Sequence, residues 1–371
     1  MTEVAILGFG TVGSGVAKVL NDNPAEIASG AGDGVRLKYI VDVRDMPDSP
    51  FAPLMVKDFA VVERDPDVAV VIETIGGCGV ALDFTRRALR AGKHVVTSNK
   101  QLVAEHGVEL LALAKEKGVN YFFEASVGGG IPLLRPLFND LSANKILGMK
   151  GIVNGTTNYI LSSMQLNGTE LETALKEAQA LGYAEANPAS DLDGVDAARK
   201  ACILADLAWG KEVKPEQVPT EGIRDVALVD VQNAVAAGGA LKLLCRLWKA
   251  EDGTPYVWVA PHFVPGSSML CHVDQAFNAV IITGSALGDA MFYGTGAGSI
   301  PTASAVVGDV IDAVRHKTAP RGIIWTGEPV ALGDPDTLPS RWYVRTGDQW
   351  SITEVMTARE LNADVKYRVL D

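Results

Sequence analysis

No apolar run in the sequence approaches the roughly 18 residues that a membrane helix needs, so no spanning segment is expected. No basic region precedes Val4-Ala5-Ile6-Leu7, which argues against a secretory leader and for a first strand. Cysteine is scarce: Cys78, Cys202, Cys245 and Cys271 form no CxxC pair, which excludes a disulfide scaffold. Reduced thiols in a cytoplasmic protein are the expectation. The five histidines show no HExxH or similar spacing, so a catalytic zinc has no support. Positive charge is also short, 33 Lys and Arg against 45 Asp and Glu, and a net charge of −12 makes nucleic acid a poor partner. Repeats and low-complexity tracts are missing. What is present is a chain of 371 residues, 47% hydrophobic and 21% charged, which suits a soluble protein of two domains.

Short apolar runs alternate with helical patterns over the first ~130 residues, the signature of a parallel βαβ sheet. Strands are predicted at Val4–Leu7, Val35–Val41, Val68–Thr74, His94–Thr97 and Tyr121–Phe123, with a helix at Val12–Leu20. After Gly128-Gly129-Gly130 the pattern changes, and residues 146–154 suggest a strand of a second sheet. Helices are predicted at Thr156–Met164, Glu170–Leu181, Gly194–Trp209 and Ser304–Arg315, and strands at Tyr256–Phe263 and Asn278–Thr283. The last ~50 residues, with Pro320, Pro329, Pro335 and Pro339, read as irregular.

Gly8-Phe9-Gly10-Thr11-Val12-Gly13 follows the first strand and opens the first helix. Its first glycine permits the tight turn, its second lets the backbone approach a pyrophosphate, and its third lets helix and strand pack closely. The helix N-terminus then offers free N–H groups to the phosphates. This context makes residues 1–130 a dinucleotide-binding Rossmann domain, with a doubly wound parallel sheet. Asp42, at the end of the second strand, suits the ribose hydroxyls of NAD, whereas Arg44 suits the 2′-phosphate of NADP; a solvated turn accounts for both equally well. Asp196 and Lys200 share one helix face and by spacing alone read as a surface ion pair. Asp191 and Asp193 read as caps at that helix start. Glu185, Asp191, Asp193 and Asp196 nevertheless crowd four carboxylates beside one lysine, a repulsion that recognition of a cationic ligand would relieve. Lys100 follows the carboxyl end of the fourth predicted strand, where doubly wound sheets bind ligands, although a surface lysine fits there too. Asn154-Gly155-Thr156-Thr157 reads as an ordinary N-cap or as a carboxylate site.

The segment Ala178–Lys200, with Gly182-Tyr183-Ala184-Glu185, Asp191-Leu192-Asp193-Gly194 and Asp196 to Lys200, resembles the signature of homoserine dehydrogenases. Thr97-Ser98-Asn99-Lys100, Glu124–Pro132, Gly151–Tyr159, Gly294–Gly298 and Pro301–Ser304 are similar to that family as well. Thr295 departs from it, standing where the family usually has proline. The resemblance implies NAD(P)-dependent reduction of aspartate 4-semialdehyde to homoserine, in threonine and methionine biosynthesis, by a cytoplasmic homodimer. It implies Lys200 as the acid–base residue, Lys100 assisting at the same oxygen, and Glu185, Asp191 and Asp196 at the substrate. Gly8, Phe9, Gly10, Thr11, Val12, Gly13, Asp42, Arg44, Thr97, Ser98, Lys100, Gly182, Gly296 and Gly298 would meet the cofactor. A sodium ion is implied near Glu124, Val127, Gly129 and Ile131, with a carboxylate from Glu124 and carbonyls from the others; an interdomain hinge is the alternative for the three glycines. Residues 131–318 would form an α+β catalytic and dimerisation domain, with 300–318 packing back on the Rossmann domain. Residues 319–371 would be a tail, a truncated remnant of an ACT regulatory domain too short for a working ligand pocket. Threonine is accordingly expected to inhibit weakly or not at all.

Overall fold

A computed structural model describes residues 1–323 and 325–370. The chain divides into two compact units. The first comprises residues 1–140, 209–212 and 297–328, and the second residues 141–208, 213–296 and 329–371.

The first unit is built on six parallel strands, β1 Thr2–Leu7, β2 Val35–Val41, β3 Met55–Val56, β4 Val68–Glu73, β5 His94–Thr97 and β6 Tyr121–Phe122. Their order, β3-β2-β1-β4-β5-β6, reverses direction at β1 and β4, so the ligand crevice of a doubly wound sheet opens at the carboxyl ends of those two strands. Both faces of the sheet are covered, which is why β4 reads Val-Ala-Val-Val-Ile without polar alternation. Helix Ser299–Arg315 supplies part of that cover through Ala303, Val306, Val310 and Val314, packed in one core with Ile6, Ile72 and Val96. It starts five residues earlier than its apolar pattern predicts, because Pro301 sits in its first turn, where its missing N–H costs nothing.

The second unit holds an eight-stranded mixed sheet of β7 Ile146–Ile152, β8 Gly239–Lys249, β9 Pro255–Pro265, β10 Phe277–Gly284, β11 Gly288–Thr295, β12 Trp342–Thr346, β13 Gln349–Ile352 and β14 Val365–Val369. Their order is β11-β10-β7-β8-β9-β14-β12-β13. Two of its central features escape sequence reading. β8 is buried on both faces and carries Lys242 at 0% exposure, its ammonium held by the Val273 carbonyl at 2.7 Å and Asp274 at 3.2 Å. Among the described residues the tail is irregular as far as Arg341 apart from one 3-10 turn, but not beyond: β14 runs parallel to β9, and β12 is tied to helix Leu228–Ala236 by the fully buried Asp230. That carboxylate accepts from the Tyr343 hydroxyl at 2.8 Å and from two nitrogens of Arg345 at 2.6 and 2.9 Å.

Candidate active site

In the first unit the glycine fingerprint forms the turn its spacing requires. Gly8 has φ +86°, and a Cβ on Gly13 would lie 2.0 Å from the Gly8 carbonyl oxygen, whereas a Cβ on Gly10 would meet nothing within 4 Å. The open space at Gly10 is a cradle that fits a pyrophosphate against bare backbone, with helix Thr11–Asp22 starting beside it. Thr11 is exposed, Val12 half-buried and Phe9 buried, and the Thr11 carbonyl accepts from the Ser299 hydroxyl at 2.6 Å.

Asp42 and Arg44 are bonded to each other rather than standing as alternatives. The buried Asp42 carboxylate accepts from the Phe9 N–H at 2.7 Å, the Arg44 N–H at 2.9 Å, and the Arg44 guanidinium at 2.9 and 2.8 Å. The guanidinium holds that carboxyl well below the usual range. Thr97 donates to Glu73 at 2.6 Å and accepts from the Asn99 N–H at 2.9 Å. Ser98 follows β5, and Lys100 is the first residue of helix Lys100–Lys117, whose N-cap is Asn99.

Glu73 is a site residue that the sequence did not disclose. It is fully buried at the carboxyl end of β4, and burial pushes its carboxyl pKa up. Besides the Thr97 hydroxyl it accepts from the Ile75 and Gly76 N–H groups at 2.7 and 3.3 Å, so it shapes the loop at the crevice. A lone acidic residue closing an apolar strand was the available signal.

The carboxylate of Glu124 is held by backbone donors. It accepts from the N–H groups of Leu133, Leu134 and Arg135 at 2.6, 2.8 and 2.6 Å, and burial raises its pKa. The turn Gly128-Gly129 takes φ +76° and +58°, and the Glu124 carbonyl accepts from the Val127 N–H at 3.5 Å. With its carboxylate engaged by three N–H groups, Glu124 does not offer the free carboxylate ligand expected of it, and a hard monovalent cation there would depend on carbonyl oxygens.

The second unit gathers Asn154, Asp191, Asp196 and Lys200. Asn154 caps helix Gly155–Asn167, its side-chain oxygen accepting from the Thr157 N–H at 2.8 Å. Its side-chain amide donates to Asp191 at 2.7 Å and to Asp196 at 2.8 Å. Lys200 donates to Asp196 at 2.6 Å and to the Val153 carbonyl at 2.7 Å. The pair is buried, Asp196 at 2% and Lys200 at 8% exposure, so the surface ion pair suggested by i,i+4 spacing is a desolvated one. Asp191 and Asp193, expected as caps, have other partners among the described residues: Asp191 accepts from Asn154, and Asp193 is paired with Arg224. Arg224 thus neutralises one of the four crowded carboxylates within the protein itself.

Glu185 stands outside this bonded cluster, exposed, with its carbonyl accepting from Gln179 at 3.0 Å. Its loop is anchored by the Thr156 hydroxyl on the Tyr183 carbonyl at 2.7 Å, and Gly182 turns it with φ +79°. Asn278 is a second residue missed from sequence. Neither polar atom of its buried amide has a hydrogen-bond partner among the described residues, and a Cβ on Gly296 would lie 2.1 Å from it. Gly298, with φ +113°, precedes helix Ser299–Arg315.

Comparison with known proteins bears directly on these arrangements. Residues 8–124 match the family described as homoserine dehydrogenase, NAD binding domain, and residues 132–311 match homoserine dehydrogenase. The homoserine dehydrogenase of Pseudomonas aeruginosa is 42% identical over 353 residues, covering 92% of this chain and 81% of that protein. That of Bacillus subtilis is 44% identical, covering 85% and 73%. The crystal structure of a homoserine dehydrogenase from Thiobacillus denitrificans superposes with a TM-score of 0.91 at 34% identity, covering 100% of this chain and 98% of that one. A hyperthermophilic archaeal homoserine dehydrogenase mutant in complex with NADPH gives 0.71 at 28% identity, covering 84% and 97%.

Proposed function

Because this chain belongs to the homoserine dehydrogenase family and reduces L-aspartate 4-semialdehyde to L-homoserine with NAD(P)H, we propose that Lys200 is its proton donor and Asp196 the group that aims it. The observation that carries this reading is the buried Lys200–Asp196–Asn154 network. The dinucleotide, when bound, supplies the hydride to the aldehyde carbon. Negative charge then grows on the carbonyl oxygen, and an ammonium group held by a carboxylate and a carbonyl is a preorganised cation for that oxygen. Its proton completes the alcohol.

Glu185 and Asp191 complete the proposal as anions for the substrate's α-ammonium group, which separates this substrate from simple aldehydes. Lys100 is proposed as a further cation, at the carboxyl end of β5. Gly8, Gly10, Gly13 and Asp42 are proposed to receive the dinucleotide, supported by the cradle at Gly10. Sodium near Glu124, Val127, Gly129 and Ile131, held by carbonyl oxygens now that the Glu124 carboxylate is engaged elsewhere, a homodimer, and a cytoplasmic location belong to the same reading. No helix among the described residues is long and apolar enough to cross a membrane.

The test is oxidation of NADH and NADPH on adding aspartate semialdehyde. The parent oxidises at least one, and Glu185→Gln raises the KM for the semialdehyde with little change in nucleotide affinity. No oxidation of either nucleotide would overturn the activity, and an unchanged KM would remove Glu185 from the substrate site.

A further inference from the structure

We infer that Cys78, Glu105 and His106 form a binding site for a zinc-class divalent metal ion, separate from the residues that the reaction requires. One ligand atom from each lies within 4.8 Å of the other two. Cys78 closes the loop Gly76-Gly77-Cys78 after β4, while Glu105 and His106 lie on helix Lys100–Lys117. They are 27 and 28 positions from the cysteine, so no scan for short ligand spacings finds them.

One edge of the triad already has the length that zinc requires, and a small shift of His106 would close the others. Zinc bonds sulfur at about 2.3 Å and oxygen at about 2.0–2.2 Å, so a tetrahedral edge between the two ligands spans about 3.6 Å. Cys78 Sγ and the Glu105 carboxylate oxygen are 3.4 Å apart. A thiolate, an imidazole and a carboxylate together select a borderline-soft cation over magnesium or calcium, which prefer oxygen. The local charge is also suitable. Glu105 faces the thiol, and Glu109 stands 3.9 Å from His106 Nδ1, itself bonded to Arg86 at 2.6 Å. Unlike Cys78, which is half-buried, the other three cysteines are buried and do not compete for added metal.

Occupation has a mechanical consequence for the loop. Gly76 and Gly77 take φ of +85° and +66°, and the loop is already tied to the start of the helix by Asn99, which donates to the Gly77 carbonyl at 2.6 Å. A metal would add a second tie one residue on, to the same helix. Because both ligand-bearing segments come together only in the folded chain, the ion binds the native state and stabilises it.

The experiment uses the untagged full chain, stripped with a chelator and titrated with cobalt(II) and then zinc. One equivalent of cobalt is expected, with the near-ultraviolet sulfur-to-cobalt charge-transfer absorption, and zinc displaces it. Cys78→Ser abolishes that absorption, and His106→Ala weakens binding by at least ~10-fold, the loss that even an outer-shell partner carries. Both variants keep the parent's circular dichroism. Zinc raises the thermal midpoint of the parent and not of Cys78→Ser. Absence of the absorption, its persistence in Cys78→Ser, or binding indifferent to His106→Ala overturns the assignment.

Discussion

Replacing Lys200 with methionine separates its chemistry from its place in the core. The substitution keeps most of the side-chain volume and removes the ammonium group 2.6 Å from Asp196 and 2.7 Å from the Val153 carbonyl. Both charges are almost wholly out of water, and breaking a buried pair from one side costs about 3–5 kcal/mol. Turnover should fall about 10²–10⁴-fold through loss of the positioned donor, equivalent to roughly 3–5 kcal/mol of barrier. The two effects are separated by Lys200→Met/Asp196→Asn, which removes both charges and keeps a side-chain acceptor for the Asn154 amide. The double variant recovers most of the lost stability and none of the lost turnover, and nucleotide affinity stays near the parent's in both variants. Urea midpoints, steady-state rates and nucleotide binding read the three quantities. Turnover within threefold of the parent in the double variant would refute the catalytic role. An unchanged urea midpoint in Lys200→Met would refute the buried pair.

Two of the three fingerprint glycines, Gly13 and Gly10, should fail differently. Gly13→Ala forces its Cβ onto the Gly8 carbonyl at 2.0 Å and costs stability at the upper end of the roughly 1–3 kcal/mol of overpacking; Gly10→Ala meets open space, so its thermal midpoint holds while nucleotide affinity falls at least ~10-fold, and equal midpoints for both would contradict this. NADH should serve at least as well as NADPH, because Asp42 directly follows β2 and holds the Phe9 N–H of the fingerprint turn, where a carboxylate would repel a 2′-phosphate. Arg44→Ala, by stripping the guanidinium from Asp42, moves the ratio of kcat/KM values further toward NADH by about tenfold, the effect of ~1.4 kcal/mol of repulsion; steady-state kinetics showing a strong NADPH preference untouched by Asp42→Ala would reject that contact. His94 should set an acid limit. Its Nδ1 accepts the Asn120 N–H at 2.9 Å, and burial lowers its pKa from 6.5 to about 4, so the unfolded chain takes up the proton first and stability is lost as pH falls from about 6.5 toward 4, by at most ~3 kcal/mol. Urea midpoints at pH 7.5 and 5 should differ less in His94→Gln than in the parent.

The legible parts of this protein were those carried by neighbours in the chain. The parallel strands and the fingerprint announce themselves by period and by glycine spacing, so β1, β2, β4 and β5 emerge within a residue or two of their bounds. Residues whose meaning depends on a distant partner were legible only as choices. Asp42 and Arg44 read as rival cofactor determinants, whereas bidentate pairing makes each the other's partner. Glu73 and Asn278 were legible only as single polar residues at the ends of apolar strands, which does not tell what each faces. β8 hid for a related reason: with both faces covered, its side chains lose the alternation that betrays a half-exposed strand.

The most instructive case is the ion pair, because the deciding signal was in the sequence and lay outside the pair. Spacing of four places Asp196 and Lys200 on one helix face and says nothing about which way that face points. The rest of the helix does say. Between Val195 and Trp209 it carries Ala197, Ala198, Ala201, Cys202, Leu204 and Ala205 on one broad face, and Ile203 beside the charged positions Asp196, Arg199, Lys200 and Asp206. An apolar face that wide marks a helix packed deep in a core. Charges at its margins are largely taken out of water, and there a lysine requires a partner. Asp196 one turn earlier is that partner. Desolvating both is costly, and the buried Lys242 shows that a lysine can carry that cost in a purely structural place. What singles out Lys200 is a carboxylate partner one turn away inside a cluster of further polar groups.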